Sequence, residues 1–297
     1  MEKIDYFASS LIKRIHGGRT ACPNCGSSRH EIVDRKYVVT DLRRCGDCKL
    51  QFRAPTRSAE DESKFYQRAY RQGTTTDMPD DTALQRMKDS GFTGAIQLNE
   101  PNINYDAYIG ALRALGLAPG ARIFDFGCSW GYGSWQLAKA GYDVTAYEIS
   151  APRAAFARDK LGVTVLAELP RADVPGEFAA SFDCFFSSHV IEHVPKPADA
   201  VALAAALLKP GGLFVAYTPN GTAEYRAHDP ESWHRLWGKV HPNMIDDEFW
   251  RAALGGRPCL FGATPVAPCR LEGFAKGRIP EASLGMQGYE LFCVARF

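Results

Sequence analysis

Residues 123–134 read IFDFGCSWGYGS, and the organisation of the whole 297-residue chain follows from them. Hydrophobic residues and Asp125 lead into Gly127, Gly131 and Gly133, and a helix-forming run over 135–140 comes next. The pattern predicts a buried strand ending in a glycine-rich turn against a helix N-terminus. Glycine suits such a turn because the chain bends sharply and a ligand can approach a backbone without a Cβ, while the helix end offers free N–H groups. A second strand, expected over 143–147, ends in Glu148, 21 positions beyond Gly127. An acid at about that distance is where a βαβ unit meets the hydroxyls of a ribose.

The glycine spacing separates two nucleoside-binding readings. A dinucleotide fold uses Gly-x-Gly-x-x-Gly, whereas here Ser129 holds the second glycine position and the later glycines fall at 131 and 133. The string Asp125-x-Gly127-Cys128-x-x-Gly131 resembles motif I of the class I S-adenosylmethionine-dependent methyltransferases, over about residues 105–219 and more loosely to 297. That resemblance implies a cofactor site made from Asp125, Gly127, Cys128, Gly131, Glu148 and Ser188, with Asp125 toward the methionine amino group and Glu148 on the ribose.

Beyond the turn, strands and helices alternate. Strands are expected over 122–126, 143–147, 163–166, 182–186 and 213–217, with helices over 105–115, 151–161 and 198–208. Such alternation predicts an α/β fold, a Rossmann-like doubly wound and mostly parallel sheet whose ligand sits beyond the strand C-termini. Near the end, 249–254 reads as helix and 271–274 and 289–295 as strands; the resemblance implies that the last strands are antiparallel. The methyltransferase domain is thus expected over 105–297. A helical linker or lid is expected over 57–104, with helices at 60–71 and 82–88. Residues 1–56 would hold a short amphipathic helix and a small metal module.

That module is read from cysteine spacing. Cys22-Pro-Asn-Cys25 and Cys45-Gly-Asp-Cys48 stand 19 residues apart, the spacing of a zinc ribbon. Four thiolates close a tetrahedron around Zn²⁺ and leave no open position, so this metal stabilises and does not catalyse. Cys184, Cys259, Cys269 and Cys293 have no such pattern and read as ordinary thiols. Nine cysteines in all, behind an N-terminus with Glu2 and Asp5 in place of a signal peptide, point to a reducing compartment and hence the cytoplasm. No apolar run approaches the roughly 18 residues of a membrane span.

Two further stretches carry chemistry. Residues 185–194 read FFSSHVIEHV, similar to the E-V-I-E-H-V signature of small-molecule O-methyltransferases of ubiquinone synthesis, with His189 in place of the first glutamate. Spacings of three and four put His189, Glu192 and His193 on one face of a helical turn. Residues 232–243 read SWHRLWGKVHPN, and related enzymes draw acceptor-pocket residues from this insertion; Trp233, Trp237 and His241 are the ones expected here. His189, Glu192, His193 and His241 together admit two readings: a second divalent metal, or a single histidine acting as general base.

With 35 basic and 34 acidic side chains the formal net charge is +1, so no long-range attraction draws a polyanion, and nucleic acid is not an expected partner. The N/D-P-P-Y/F motif of base N-methyltransferases is absent from the fourth strand. The expected activity is O-methylation of a small polar acceptor such as a sugar or glycan precursor. The alternatives are an rRNA or tRNA methyltransferase that reads its substrate through the ribbon, and a sugar C-methyltransferase, which would need a further C-terminal domain.

Overall fold

A computed structural model describes residues 11, 20–56, 77–92, 103–170, 176–238, 240–278 and 285–297. The expected N-terminal helix, the helix over 60–71 and most of the lid lie outside them. In chain order the elements begin with the strands β1 (His30–Lys36), β2 (Thr40–Cys45) and β3 (Gln51–Ala54). Next come α1 (Asp81–Asp89), α2 (Asp106–Ala114), β4 (Arg122–Phe126), α3 (Tyr132–Lys139), β5 (Asp143–Tyr147), α4 (Ala151–Leu161) and β6 (Thr164–Leu166). The remainder is β7 (Phe182–Ser188), a 3₁₀ turn (Ile191–His193), α5 (Pro197–Leu207), β8 (Leu208–Pro219), α6 (Ala223–His228), α7 (Pro230–Leu236), β9 (Asn243–Met244), α8 (Asp247–Leu254), β10 (Cys259–Ala263), α9 (Pro268–Ala275) and β11 (Glu290–Arg296).

Seven strands form the main sheet in the order β10-β11-β8-β7-β4-β5-β6. β4 to β8 run parallel, and β11 is antiparallel to both β8 and β10. From β4 the chain moves outward one way through β5 and β6, then returns to β7 and moves the other way. Strand order therefore reverses between β4 and β7, and in an open α/β sheet the crevice at that reversal receives the ligand.

The period-two alternation of strands sorts the core onto two faces. Phe124, Phe126, Phe185, Phe214 and Ala216 face α5 and α8, while Ile123, Phe186, Leu213, Val215 and Tyr217 face α2 and α9. Phe182 shares a face with Phe185 because the register shifts between Phe182 and Cys184. The same shift absorbs the Lys-Pro-Gly-Gly turn: Phe182 pairs with Leu208 and Cys184 with Leu213, so residues 209–212 loop outward between two paired positions.

The ribbon is a four-stranded antiparallel sheet, β1-β2-β3-β9, whose last strand comes from some 190 residues further along the chain. Cys22, Cys45, Leu50, Phe52 and Ala54 belong to the same hydrophobic cluster as Phe214 and Trp250. Each large side chain buried there contributes roughly 1.5–3 kcal/mol, so the ribbon and the main sheet hold each other.

One expected strand is corrected. Residues 271–274 lie in the helix α9, because Pro268 presets the first helical turn and Leu271 and Phe274, three apart, both bury toward one side. The edge strand is instead β10.

Candidate functional site

The glycine-rich turn has a separate reason for each glycine. Gly127 has φ +89° and a Cβ there would stand 2.4 Å from Val190 Cγ2; Gly131 has φ +91° and would meet Ala157 Cβ at 2.7 Å. Gly133 lies in ordinary helical backbone, but a Cβ would press into the Tyr105 ring at 2.3 Å. The turn is tied to β5: the Gly127 and Cys128 N–H groups both donate to Tyr147 O, at 2.8 and 3.1 Å. Glu148 Oε2 accepts the Ser129 N–H at 2.9 Å and its Oε1 accepts the Ser150 N–H at 2.8 Å. Glu148 therefore shapes the loop as well as presenting a carboxylate to it; burial lifts its pKa against the pull of these amides.

Asp125 is buried and accepts the Ser134 hydroxyl. Burial pushes its pKa up to about 6 despite that bond. Cys128 is also buried, and burial pushes its thiol up, so it is an inert part of the wall. These residues border a cavity of about 280 Å³ lined by Phe126, Gly127, Glu148, Arg153, Ser188 and His193 among others. Of the six expected cofactor residues, Gly127, Cys128, Glu148 and Ser188 line this cavity directly. Asp125 supports it from beneath, and Gly131 shapes the turn. Arg153, on the first turn of α4, was missed; no motif marks it.

A second cavity of about 670 Å³ shares Tyr105, Tyr132, Ser188 and His189 with the first. Its far wall includes Tyr108, Tyr217 and Glu290. Glu290 Oε1 accepts the Tyr108 hydroxyl at 2.7 Å and the His189 Nε2–H at 2.7 Å. His189 sits just past β7 with φ +54°, a conformation uncommon for a side-chain-bearing residue and a mark of sites held by their surroundings. Burial works against its charge, but the Glu192 and Glu290 carboxylates outweigh it and raise its pKa to about 10. Glu290 and Tyr108 had no signal in the sequence, because the antiparallel turn-back of β11 alone brings residue 290 to this mouth.

The four residues expected to act together do so only in part. Glu192, His193 and His241 each offer a ligand atom, all within 4.8 Å of one another. His189 stands 3.7 Å from Glu192 Oε1 through Nδ1 but spends its Nε2 on Glu290. It precedes the 3₁₀ turn, so the single shared helical face expected for 189, 192 and 193 does not form. Glu192 is fully buried and neither carboxylate oxygen has a hydrogen-bond partner; His193 Nε2 is 3.6 Å from Oε1, within ion-pair reach only. Burial would raise the Glu192 pKa, yet His193, His189 and His241 hold it below its ordinary value. Burial also pushes His193 down to about 4, with Glu192 opposing. His193 Nδ1–H donates to Val240 O at 2.9 Å and His241 Nδ1–H to Leu236 O at 2.6 Å.

Trp233 and Trp237 are corrected. Both are buried with Leu42, Tyr225, Leu236 and Met244, where they join the ribbon to α6 and α7, and neither lines either of these two cavities. The four ribbon cysteines come together with all Sγ atoms within 4.8 Å, Cys22 to Cys48 and Cys25 to Cys45 each at 3.5 Å. Among the described residues no helix is long and apolar enough to cross a membrane.

Comparison with known proteins fits this geometry. Residues 124–216 match the family described as "Methyltransferase domain". The ubiquinone biosynthesis O-methyltransferase of Xanthomonas campestris pv. campestris is 35% identical over 119 residues, covering 39% of this chain and 48% of that protein. That of Bordetella avium is 36% identical over 109 residues, covering 35% and 45%. The chain thus spans about half the length of the curated relatives it matches. Among solved structures, an S-adenosylmethionine-dependent methyltransferase from Mesorhizobium loti aligns with a TM-score of 0.46 at 22% identity, over 66% of this chain and 100% of that one.

Proposed function

We propose that this protein transfers the methyl group of S-adenosylmethionine to a hydroxyl oxygen of a small, ring-bearing acceptor. The observation that carries the reading is the pair of cavities meeting at Ser188 and His189: one is framed by the glycine turn and Glu148, the other walled by tyrosines. The cofactor would lie in the first with its ribose toward Glu148, and the acceptor in the second. The acceptor oxygen attacks the methyl carbon in line as the carbon–sulfur bond breaks. The bonding pair stays on sulfur, leaving S-adenosylhomocysteine, and the hydroxyl proton is released. Positioning and proton removal are the main levers on such a barrier. The sugar or glycan acceptor expected from the sequence finds no support among the relatives, which are named for ubiquinone biosynthesis. The apolar, aromatic lining of the second cavity favours a flat ring over a polyol. Nothing on the chain favours the RNA or sugar C-methyl readings over this one.

Two metals belong to the proposal. Zn²⁺ fits the ribbon: bonds of about 2.3 Å in a tetrahedron require sulfurs about 3.8 Å apart, close to the 3.5 Å of the two pairs. A second divalent ion fits Glu192, His193 and His241. A buried carboxylate with no hydrogen bond to either oxygen, and only imidazoles at ion-pair distance, asks for a cation. Each histidine also gives its Nδ1–H to a carbonyl, the arrangement that orients a metal-binding imidazole. An ion held there would lower the pKa of a nearby hydroxyl. The rival is His193 as a simple base, and burial, which lowers its basicity, weighs against it.

The test is methyl transfer from radiolabelled S-adenosylmethionine to a panel of hydroxylated aromatic compounds, with and without mild chelation that spares the ribbon zinc. The proposal expects label in a methyl ether and loss of transfer on chelation, restored by Mn²⁺ or Zn²⁺. Cofactor binding without transfer to any hydroxyl, in a panel that also holds amines and nucleotide sugars, would refute the acceptor class. Full activity after chelation would leave His193 as the base.

A further inference from the structure

The ribbon holds, from outside, the segment on which the histidines depend. His193 and His241 each owe their ring orientation to a carbonyl at or just beyond the end of α7: Val240 O, in the segment that follows, and Leu236 O, of the helix's last residue. That segment closes on itself through Gly238 N–H to His241 O at 3.0 Å. Three of its carbonyls, at 237, 238 and 242, are taken up by the ribbon. Arg53, buried in β3, donates from Nη1 to Gly238 O at 2.7 Å, and its backbone N–H donates to Pro242 O at 2.7 Å. Lys36 Nζ donates to Trp237 O. Asp34 Oδ2 accepts Trp237 Nε1–H at 2.9 Å and His234 Nδ1–H at 2.6 Å. Just beyond, β9 pairs with β3, and Asn243 Nδ2 donates to Glu192 O at 3.2 Å and Val194 O at 2.8 Å.

Two chain segments far apart in sequence are thus sewn together by the ribbon: the 3₁₀ turn that carries Glu192 and His193, and the loop that carries His241. A buried guanidinium on a carbonyl is a charge-assisted hydrogen bond, among the stronger and more directional contacts available. A backbone segment with its carbonyls pinned at 237, 238 and 242 cannot rotate those at 236 and 240 away from the imidazoles. We propose that the zinc ribbon is a splint for this side of the site: Arg53, with Asp34 and Lys36, positions His193 and His241 by fixing the carbonyls that select their tautomer and ring orientation. Arg53 touches neither cavity and is a positioning residue. The inference rests on the methyltransferase reading only for the importance of the two histidines, and its test reads the rings themselves, not turnover.

The experiment uses the full chain, zinc-loaded, labelled with ¹⁵N-histidine, with His193→Gln and His241→Gln to assign signals. Nuclear magnetic resonance should show both residues with a proton on Nδ1 that exchanges slowly with water. Arg53→Ala should speed that exchange at least tenfold at both positions while zinc stays at one per chain and S-adenosylmethionine affinity stays within about threefold; Arg53→Lys, which keeps a cationic donor, should recover most of the protection. Unchanged tautomers and exchange in Arg53→Ala would overturn the splint. Should Arg53→Ala fail to fold, Lys36→Met and Asp34→Asn in combination remove two half-exposed clamps, and unaltered histidine signals there would overturn it equally. Failure of S-adenosylmethionine to bind the wild type would strike the methyltransferase reading and leave this result standing.

Discussion

The two sides of the site are built in opposite ways. On the side proposed for the cofactor, the bonds of the glycine turn span short stretches of chain: the Gly127 N–H reaches Tyr147 O, and Ser129 N–H reaches Glu148 across 19 positions. On the histidine side the spans are 47 positions for His193 to Val240, 101 for His189 to Glu290 and 185 for Arg53 to Gly238. The first side is one strand-turn-helix-strand unit that closes on itself. The second is assembled only when β7, β11, the segment after α7 and the ribbon have all arrived, and it is therefore the side that distant substitutions can disturb.

The zinc proposed for the ribbon is the strongest lever on this difference. Structural zinc supplies on the order of 10 kcal/mol to small zinc modules, of which a docked ribbon loses part. Cys22→Ser should empty the ribbon, lower the melting temperature by several degrees and release His193 and His241. S-adenosylmethionine should still bind with affinity within about fivefold. Equal loss on both sides, by calorimetry and elemental analysis, would show that they are not separable.

Gly127→Val attacks the other side. Its Cβ falls 2.4 Å from Val190 in a backbone that disfavours side chains, and cofactor affinity should drop about 100-fold or more, equivalent to roughly 2.7 kcal/mol. Zinc content should not change. Glu148→Ala removes the acceptor of two backbone amides, at 2.9 and 2.8 Å, and the proposed ribose contact. Hydrogen bonds to a charged group are worth about 1.5–3 kcal/mol, so a loss of roughly tenfold or more is expected. An unaltered dissociation constant in folded protein would remove Glu148 from the cofactor site. The smallest effect belongs to Glu290→Gln. It should cost about 1 kcal/mol in denaturant unfolding, through the Tyr108 and His189 bonds, and leave cofactor affinity untouched.

The same contrast explains how far the sequence could be read. The turn 127–133, the place of Glu148 beside it, the mostly parallel α/β sheet and the clustering of the four cysteines were legible because each follows from a local spacing or alternation. Residues 271–274 were misread because Leu271 and Phe274, three apart, suit a helix that Pro268 starts, and Gly273 between them is not a helix signal. Trp233 and Trp237 look like pocket walls from composition, and only the docking of Leu42 and Met244 turns them into core. Glu290 and Arg53 carried no signal at all. Their roles exist only through contacts more than 100 positions distant, which no periodicity encodes.

Titration calorimetry of the wild-type, zinc-loaded chain with S-adenosylmethionine tests the central claim, that the cavity between the glycine turn and Glu148 is a cofactor site. One site per chain is expected, competed by S-adenosylhomocysteine, weakened in Gly127→Val and indifferent to NAD. No binding heat over a range of temperatures, or binding that Gly127→Val leaves unchanged, would contradict it.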